Sequence, residues 1–501
     1  MLSETMQTTR ASFFTRLTMS VAAAAPVLAV CLALATAGPA AGASYEWDPN
    51  GSSAGIGGSG VWDADPLHLY FATSGVWEAW ANSSSPPDSV QFSGSGTVTI
   101  DATTIYADRL SFTGGNYRLQ QTNSSSILNL AGGLTIASGR TVTSVVTITG
   151  AALALDGGGT FRLGGNDLIG NATAIDLLGS TRFNLDGYTA TVGGFTLTQG
   201  TIEGNGTLTA SSYLLRSGNV NAILAGTGNL EKTGSGSVWV RSANIFTGST
   251  LISGGELILS ANAGLDQSSS VTVSGGRLTI SELTGQNIKR VNVDSGSLVL
   301  TGNLRTDTGT HVSNGGRLIG SGFAGESDVT INRGGVIEPG VENGVGTITT
   351  GNLLLNSGGT YRWDVQDSLG ESGSDWDLIR ANGNLTVAST SSDRFIFFVN
   401  GLGVAPVVPA VGSSLSWEVA RFSSGQLYQT GADLSALYDI QLYGTWAAAG
   451  LDPQLFSITA LNNSLYLTMA VPEPIHYAMI LGAVTLGLVG YRRWRRSPLA
   501  A

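Results

Sequence analysis

The chain has 501 residues and a formal net charge of −11; only 12% of its residues are charged, and 70 are glycine. Nucleic-acid recognition needs clustered lysine and arginine side chains, and the sequence has no such basic stripe. The sequence therefore excludes nucleic acid as a partner. The length leaves room for a large core, and the composition is typical of an extracellular β-protein.

The first 43 residues form a predicted signal peptide. Arg10 and Arg16 precede an apolar run at 21–35, and small residues lead up to Ala43. The Sec translocon and signal peptidase recognise this order of basic, apolar and small residues. We therefore expect cleavage between Ala43 and Ser44 and an exported mature chain.

The only cysteine, Cys31, lies inside this predicted signal peptide. A lipoprotein reading is weak, since Val30 is a poor residue before a lipidated cysteine and the apolar run continues beyond it. The exported protein would then have neither disulfides nor thiolate metal sites.

Residues 44–89 form a predicted N-terminal cap that is rich in tryptophan, with Trp47, Trp62, Trp77 and Trp80. A repetitive β-structure exposes strand edges and apolar core at its ends, so a terminal segment must cover them. The alternative is a sugar-binding aromatic platform, because exposed tryptophan can stack on a pyranose ring as well as on another aromatic ring.

Residues 90–387 repeat a short unit of strand, glycine turn and strand, most regularly from residue 228 to residue 359. The last glycines of successive turns lie 19 to 24 residues apart: Gly255, Gly276, Gly296, Gly316, Gly335 and Gly359. Two positions after each glycine stands an apolar residue: Leu257, Leu278, Leu298, Leu318, Ile337 and Tyr361. A period near twenty with two strands and no helix predicts an all-β fold, a right-handed parallel β-helix (β-solenoid). Antiparallel hairpins of a sandwich remain the alternative.

In this solenoid the apolar positions would form one inward ladder. The residues one place earlier would point outward: Glu256, Arg277, Ser297, Arg317, Val336 and Thr360. Strand alternation requires this, since neighbouring side chains leave opposite faces of a sheet. Glu256 should therefore lie over Arg277.

One stretch, 226–260, contains a longer pattern. It runs through Leu230, a Lys232-Thr233-Gly234-Ser235-Gly236 turn, Asn244, a Phe246-Thr247-Gly248 turn and Gly255-Glu256-Leu257. It resembles the autotransporter-associated β-strand repeat, of which it would be about one copy. Glu338-Pro339-Gly340 and the following Gly-Thr pairs are similar to a late passenger-region signature of autotransporters. The resemblance implies a β-helical, surface-exposed stalk and no particular chemistry.

Chemical motifs are sparse. The histidines His68, His311 and His476 have no metal-ligand spacing, and Lys232-Thr233 lacks the glycine of a phosphate-binding loop. We therefore predict no cofactor and no catalytic residue.

One acidic stretch could still hold a metal. Asp364, Asp367, Glu371, Asp375 and Asp377 lie within fourteen residues. They could hold calcium or supply a carboxylate pair, although their spacing matches no known calcium loop and acids are common in exposed loops.

Residues 388–470 lose the period and are predicted to form a small C-terminal β-module that closes the solenoid. Strand patterns occur at 394–399, 415–419, 438–442 and 465–469.

The tail, 471–496, has three parts in order. Pro472, Glu473 and Pro474 precede an apolar stretch at 475–491, and a basic cluster follows. The cluster consists of Arg492, Arg493, Arg495 and Arg496. An apolar helix of 17 residues would span ~26 Å, enough to cross a membrane, and the arginines would stay cytoplasmic.

These three parts resemble the PEP-CTERM sorting signal. The resemblance implies an exosortase, a membrane protease, as processing partner in a Gram-negative bacterium. The protein would be anchored in the inner membrane first and then reach the cell surface or matrix. An ordinary membrane anchor is the alternative.

Two functions follow from these features. The first is an exported, non-enzymatic cell-surface or matrix protein, structural or adhesive or associated with extracellular polysaccharide. The alternative is a polysaccharide lyase or glycoside hydrolase on the same fold. An enzyme should gather carboxylates, or carboxylates with an arginine, in one groove across adjacent coils.

Overall fold

The computed structural model describes most of the chain between residues 42 and 471. The described residues are 42–49, 57–68, 71–73, 76–260, 263–281, 286–324, 328–403, 406–425, 432–471 and 492. The predicted signal peptide before residue 42 and the stretch 472–491 lie outside them.

The described residues form 44 strands and three short helical segments. The first sixteen strands are β1 (Ser44–Trp47), β2 (Gly60–Trp62), β3 (Phe71–Thr73), β4 (Val76–Glu78), β5 (Ser89–Phe92), β6 (Gly96–Ile100), β7 (Thr104–Phe112), β8 (Tyr117–Gln121), β9 (Ile127–Ile136), β10 (Thr141–Ser144), β11 (Thr147–Thr149), β12 (Ala152–Asp156), β13 (Thr160–Leu163), β14 (Ala174–Leu177), β15 (Arg182–Asn184) and β16 (Thr189–Val192). The next fourteen are β17 (Phe195–Leu197), β18 (Thr201–Glu203), β19 (Thr207–Ala210), β20 (Ser212–Leu215), β21 (Gly218–Val220), β22 (Ile223–Ala225), β23 (Asn229–Lys232), β24 (Ser237–Val240), β25 (Thr250–Ile252), β26 (Glu256–Leu259), β27 (Val271–Ile280), β28 (Gln286–Ile288), β29 (Val291–Leu300) and β30 (Leu304–Thr306). The last fourteen are β31 (Thr310–Val312), β32 (Gly316–Gly320), β33 (Val329–Ile331), β34 (Val336–Pro339), β35 (Thr347–Thr350), β36 (Leu353–Leu355), β37 (Thr360–Val365), β38 (Leu378–Val387), β39 (Phe395–Gly401), β40 (Ser414–Gly425), β41 (Ala432–Asp433), β42 (Tyr438–Tyr443), β43 (Phe456–Leu461) and β44 (Ser464–Ala470). The helical segments are a 3-10 turn (Ser435–Leu437), α1 (Gly444–Ala448) and a second 3-10 turn (Pro453–Leu455).

The strands wind into a β-solenoid of about 13 turns. Each coil of the regular region contributes strands to three faces, and each strand pairs in parallel with the strand of the next coil. The first face contains β23, β25, β31 and β33, the second contains β24, β26, β32, β34 and β37, and the third contains β28, β30, β35 and β38. Long strands such as β27 and β29 run along two faces. Because the coil-to-coil pairs are parallel, the sandwich alternative is wrong.

The predicted inward ladder is confirmed. Direct register partners join Leu257, Leu278, Leu298, Leu318, Ile337 and Tyr361 in that order. All six are buried. Burying one such side chain contributes about 1.5–3 kcal/mol, so the ladder provides much of the cohesion between coils.

The outward row is also in the predicted register. Glu256 pairs with Arg277, and the same row continues through Ser297 and Arg317. All four side chains are half-buried, as expected for side chains that lie along the outer side of a sheet.

Glycine is required at the corners between the first and second faces. Gly255 has a φ of +60° and Gly296 a φ of +119°, a region that side chains with a β-carbon disfavour. An added Cβ would lie 2.3 Å from the carbonyl oxygen of Gly236 in the first case and 2.4 Å from that of Gly276 in the second. The coils are too close at these corners for any side chain.

The lysine of the autotransporter-like turn is a buried structural residue. Nζ of Lys232 donates to the carbonyl oxygens of Thr233, at 2.7 Å, and Gly254, at 3.0 Å. Burial lowers the pKa of this amine. Lys232 therefore ties the corner of one coil to the corner of the next.

The tryptophan-rich segment packs on the first coils. β1 pairs in parallel with β5, whereas β3 pairs antiparallel with both β1 and β4. Trp47, Trp62 and Trp80 are buried in one aromatic cluster, with ring centroids of Trp62 and Trp80 5.1 Å apart. These three rings cannot stack on a sugar. Trp77 is half-buried and donates from Nε1 to Asp48.

Parallel pairing continues past residue 387, where the sequence placed the boundary of a separate module. β37, β39 and β42 extend the second face to Tyr443, and β40 adds to the third face beside β38. Antiparallel pairing follows between β40 and β44 and between β43 and β44. The period disappears from the sequence because long loops separate these strands, while the alternation that builds the faces persists. The domain limits themselves stay predictions.

Within the described part of the chain, no helix is long and apolar enough to cross a membrane. The predicted transmembrane stretch, 475–491, is outside that part.

Candidate functional site: an arginine and carboxylate cluster on the second face

Charged side chains from neighbouring coils meet on the outer side of the second face. β32 supplies Arg317, β34 supplies Glu338, and β37 supplies Arg362 and Asp364. Strand alternation turns Arg317, Glu338 and Arg362 outward, because each is next to a member of the inward ladder. Together with Arg277, Glu342 and Asp377, these residues are called the outer-face cluster below.

A loop, 340–346, folds back over the strands and adds polar groups to the cluster. Arg317 forms ion pairs with Glu338 and with Glu342, the second at 2.7 Å. Arg362 donates from Nη2 to Oδ1 of Asn343 at 2.5 Å. The hydrogen bond from Arg317 is the main reason why the pKa of Glu342 is lowered. The arginines thus hold the loop against the sheet.

Two aspartates of the cluster are joined through the backbone. Oδ2 of Asp377 accepts from the backbone N–H of Asp364 at 2.9 Å, and its Oδ1 accepts from Gly346 at 2.8 Å. Oδ1 of Asp364 accepts from Asn400 at 2.8 Å and from Arg362 at 3.3 Å. Asp377 therefore pins the loop 340–346 to β37.

Burial dominates the electrostatics of these carboxyl groups. Glu338, Asp364 and Asp377 are all 0% exposed. Burial raises the pKa of Asp364 and raises that of Asp377 well above its usual range. Oδ2 of Asp364 is buried with no hydrogen-bond partner among the described residues, which favours a proton on this group.

An enzyme is expected to gather carboxylates and arginines in one groove open to a substrate, and the outer-face cluster meets only the first part of this condition. Carboxylates and arginines do gather across adjacent coils. A glycoside hydrolase, however, needs two carboxyl groups that reach the sugar from opposite sides. Here Glu338, Asp364 and Asp377 are closed to solvent, and Glu342 is the acid of the cluster with an exposed side chain, at 46%. The outer-face cluster can hold the loop 340–346 against the sheet, but it offers no pair of accessible carboxyl groups as acid and base to a substrate.

The four aspartates of the acidic stretch that could hold a metal separate into two pairs. Asp364 and Asp377 are buried in the cluster, whereas Asp367 and Asp375 lie in the turn between them. Oδ1 of Asp367 accepts from Leu369 N at 2.9 Å, and Oδ2 of Asp375 accepts from Glu371 N at 2.8 Å. Among the described residues, no group of three or more His, Cys, Asp or Glu side chains has the geometry of a metal site.

The remaining predicted site residues lie at the two ends of the chain. Ala43 donates its N–H to Asp88 at 2.7 Å, and Ser44 begins β1, so the first strand starts where cleavage is predicted. Arg492 is exposed. Outside the described residues lie Pro472, Glu473, Pro474, Arg493, Arg495 and Arg496.

Sequence reasoning missed the partners of the acidic stretch. Glu338 and Arg362 each follow a ladder residue, Ile337 and Tyr361, and Arg317 precedes Leu318. The ladder register alone placed all three on one outer face, and this signal was present in the sequence. The loop that covers them has no comparable signal.

The strands define an all-β solenoid, and on its second face the arginines of the outer-face cluster form ion pairs with carboxylates of neighbouring coils. No family model matches the chain. Over 185 residues, 36% of its length, the chain is 32% identical to the protein named "Adhesin BmaC autotransporter" of Brucella suis biovar 1 (strain 1330). The matched region is 5% of that protein, so the chain spans only a small part of its relative.

Proposed function

We propose that this chain is an exported, non-enzymatic protein of the cell surface or extracellular matrix, in which a right-handed β-solenoid forms a structural or adhesive stalk. The observation that carries the proposal is the uninterrupted inward ladder, which leaves a long, regular, polar outer surface for contact. The similarity to part of an autotransporter adhesin supports the same role.

The proposed export route uses both ends of the chain. Residues 1–43 direct the chain to the Sec translocon and are removed before Ser44. Residues 475–491 hold the precursor in the inner membrane, with Arg492, Arg493, Arg495 and Arg496 on the cytoplasmic side. An exosortase recognises Pro472-Glu473-Pro474 and releases the stalk. The support for this route is the order of these segments in the sequence.

The proposed contact partner is extracellular polysaccharide or a neighbouring cell. Repetitive strands present similar polar groups at ~4.8 Å intervals, which suits an extended polymer. A cation is not part of the proposal, because the weak candidates Asp364, Asp367, Asp375 and Asp377 do not gather at one point.

The test is a combined glycan-binding and glycan-degradation screen on residues 44–471. The proposal predicts binding to at least one polysaccharide with no release of reducing ends or unsaturated products. The matched variants are Glu338→Gln and Asp364→Asn. If the protein degrades a polysaccharide and these substitutions abolish the degradation, the enzyme alternative replaces the proposal.

A further inference from the structure

The loop between β39 and β40 contains an apolar stretch of ten residues without a single polar side chain. Residues 402–411 read Leu-Gly-Val-Ala-Pro-Val-Val-Pro-Ala-Val. Val407 is 44% exposed, Val408 52% and Val411 58%. Three exposed valines within five residues concentrate apolar surface at one place, which is a feature of contact sites.

A neighbouring turn enlarges this apolar surface. The N–H of Val407 donates to Oγ of Ser368 at 3.3 Å, and the next residue, Leu369, is 64% exposed. Asp367 and Glu371, on the same turn, are exposed as well, so acids lie beside the apolar surface. No lysine or arginine occurs between residues 395 and 420.

The loop lies where the chain leaves the solenoid. Gly412 donates its N–H to the carbonyl oxygen of Val471 at 2.8 Å, and Val471 donates to that of Ser413 at 3.3 Å. The apolar stretch 475–491 begins four residues after Val471. Four residues span at most ~14 Å, which limits how far the first residue of this stretch can be from Val471.

We infer that residues 406–411 of this loop are a second membrane contact, which enters the interfacial layer of the bilayer in which 475–491 is anchored. This inference rests on the proposed anchoring of the precursor. A lipid surface is the partner that suits the loop, because the loop offers no side-chain hydrogen bond and no charge to a glycan or a polar protein. The adjoining stretch of spanning length brings a bilayer to this position.

The hydrogen-bonding needs of the loop backbone limit how deeply the loop can enter the bilayer. Irregular backbone does not lie exposed to the hydrocarbon core, since its N–H and C=O groups would lose their partners. Pro406 and Pro409 lack an N–H and reduce this cost at the headgroup level. The valines therefore sit at the boundary of headgroups and acyl chains, while Asp367 and Glu371 stay in the aqueous layer.

This contact would fix the height of the sorting motif. With both the loop and 475–491 held by the bilayer, Pro472-Glu473-Pro474 lies between two anchored points at the membrane surface. A membrane-embedded protease would meet the motif in one restricted orientation.

The experiment places a fluorescent label at the loop of the full chain. Val408→Cys in a Cys31→Ser background is labelled with an environment-sensitive dye and reconstituted into phosphatidylcholine vesicles, with or without spin-labelled lipid. Ile245→Cys is the matched control, because Ile245 is an apolar residue with 54% exposure, in a coil far from the exit of the chain. We expect the lipid spin label to quench position 408 several-fold more than position 245, most strongly when it is near the headgroup.

The remaining outcomes separate the inference from the anchoring. If the chain floats with the vesicles and position 408 is quenched no more than position 245, the loop is in water and the inference is overturned while the anchor stands. If the chain does not float with the vesicles, both are overturned. If position 408 is shielded from water but not quenched by lipid, the loop is covered by protein, such as its own 475–491 stretch or a second copy, and the inference is overturned.

Discussion

Leu278 lies in the middle of the inward ladder, with Leu257 and Leu298 as its register partners in the two neighbouring coils. Its side chain is 0% exposed. A polar side chain at this position would disturb the packing against both neighbouring coils. The coils of a solenoid are coupled mainly to their nearest neighbours, so damage should be local.

Leu278→Asp should destabilise the protein by about 3–5 kcal/mol, because it buries a carboxylate without a partner. Denaturant unfolding measures the loss, and hydrogen exchange should show the largest loss of protection in the two adjacent coils. Thr272→Asp is the control, since Thr272 points outward on the same strand. Equal stability of the two variants would contradict the register.

The carboxyl group of Asp364 should make stability depend on pH. Its pKa is raised by burial, so the folded chain binds the proton more tightly than the unfolded chain, whose value is near 3.8. Stability should therefore rise as the pH falls through the folded pKa and level off below the unfolded one. The groups that face it are Arg362, Asn400, Glu338 and Asp377.

Asp364→Asn should stabilise the protein at pH 8 and reduce the rise in stability between pH 8 and pH 4. The substitution retains an oxygen for Asn400 and removes a buried charge. Asp377 is unchanged, so part of the pH dependence should remain. Urea unfolding at several pH values measures the effect, with the exposed Asp367→Asn as control. A variant that is less stable than the natural protein at pH 8 would refute this reading.

The acidic stretch shows what strand alternation can and cannot predict at the residue scale. Alternation predicted the outward direction of Arg317, and the same rule, applied one place after the ladder residues, accounts for Glu338 and Arg362. It did not give the burial of Asp364 and Asp377, which the sequence suggested were in an exposed or calcium-binding loop. Their burial depends on loop 340–346 folding over the outer face, and no periodicity encodes that contact.

At the scale of elements, the corner after β23 is held by one buried amine. Nζ of Lys232 is the donor to two carbonyl oxygens, those of Thr233 and Gly254. The chain has just one other lysine, Lys289, which is exposed and directly follows β28. The pair offers a natural comparison between a structural and a solvent-exposed amine.

Lys232→Met should destabilise the protein by about 1–3 kcal/mol, because it leaves buried carbonyl oxygens without a donor. Lys289→Met should change stability by less than about 0.5 kcal/mol, as expected at an exposed site. Thermal unfolding of both variants provides the measurement. Similar effects of the two substitutions would show that the hydrogen bonds of Lys232 do not stabilise the corner.

The elements were predictable where the period is regular and less so where it is not. Between residues 228 and 359 a fixed spacing of glycine and leucine predicted the inward ladder and its register. It predicted two strands for each coil and not the third face, which contains β28 and β30. After residue 387, loops such as 402–413 lengthen the coils, so the spacing disappears although β39 and β42 still pair in parallel with the second face. Long-range pairing of this kind is not visible in a local pattern.

At the scale of the whole molecule, the described residues form a solenoid of about 13 turns, and the inward ladder is part of its core. In the proposed role, such a structure would serve at a surface by its length and regularity. Its location is therefore the property that most directly separates the proposed role from the alternatives, and the proposal assigns location to the tail.

The most direct measurement compares the mass and location of the natural protein with those of a variant carrying Pro472→Ala, Glu473→Ala and Pro474→Ala, in a host with an exosortase. The account predicts that the natural protein loses the 475–501 segment and reaches the surface, while the variant stays full-length in the inner membrane, because the apolar stretch and its arginines still hold it there. If both proteins keep the segment and fractionate alike, the sorting route is wrong and a plain anchor takes its place.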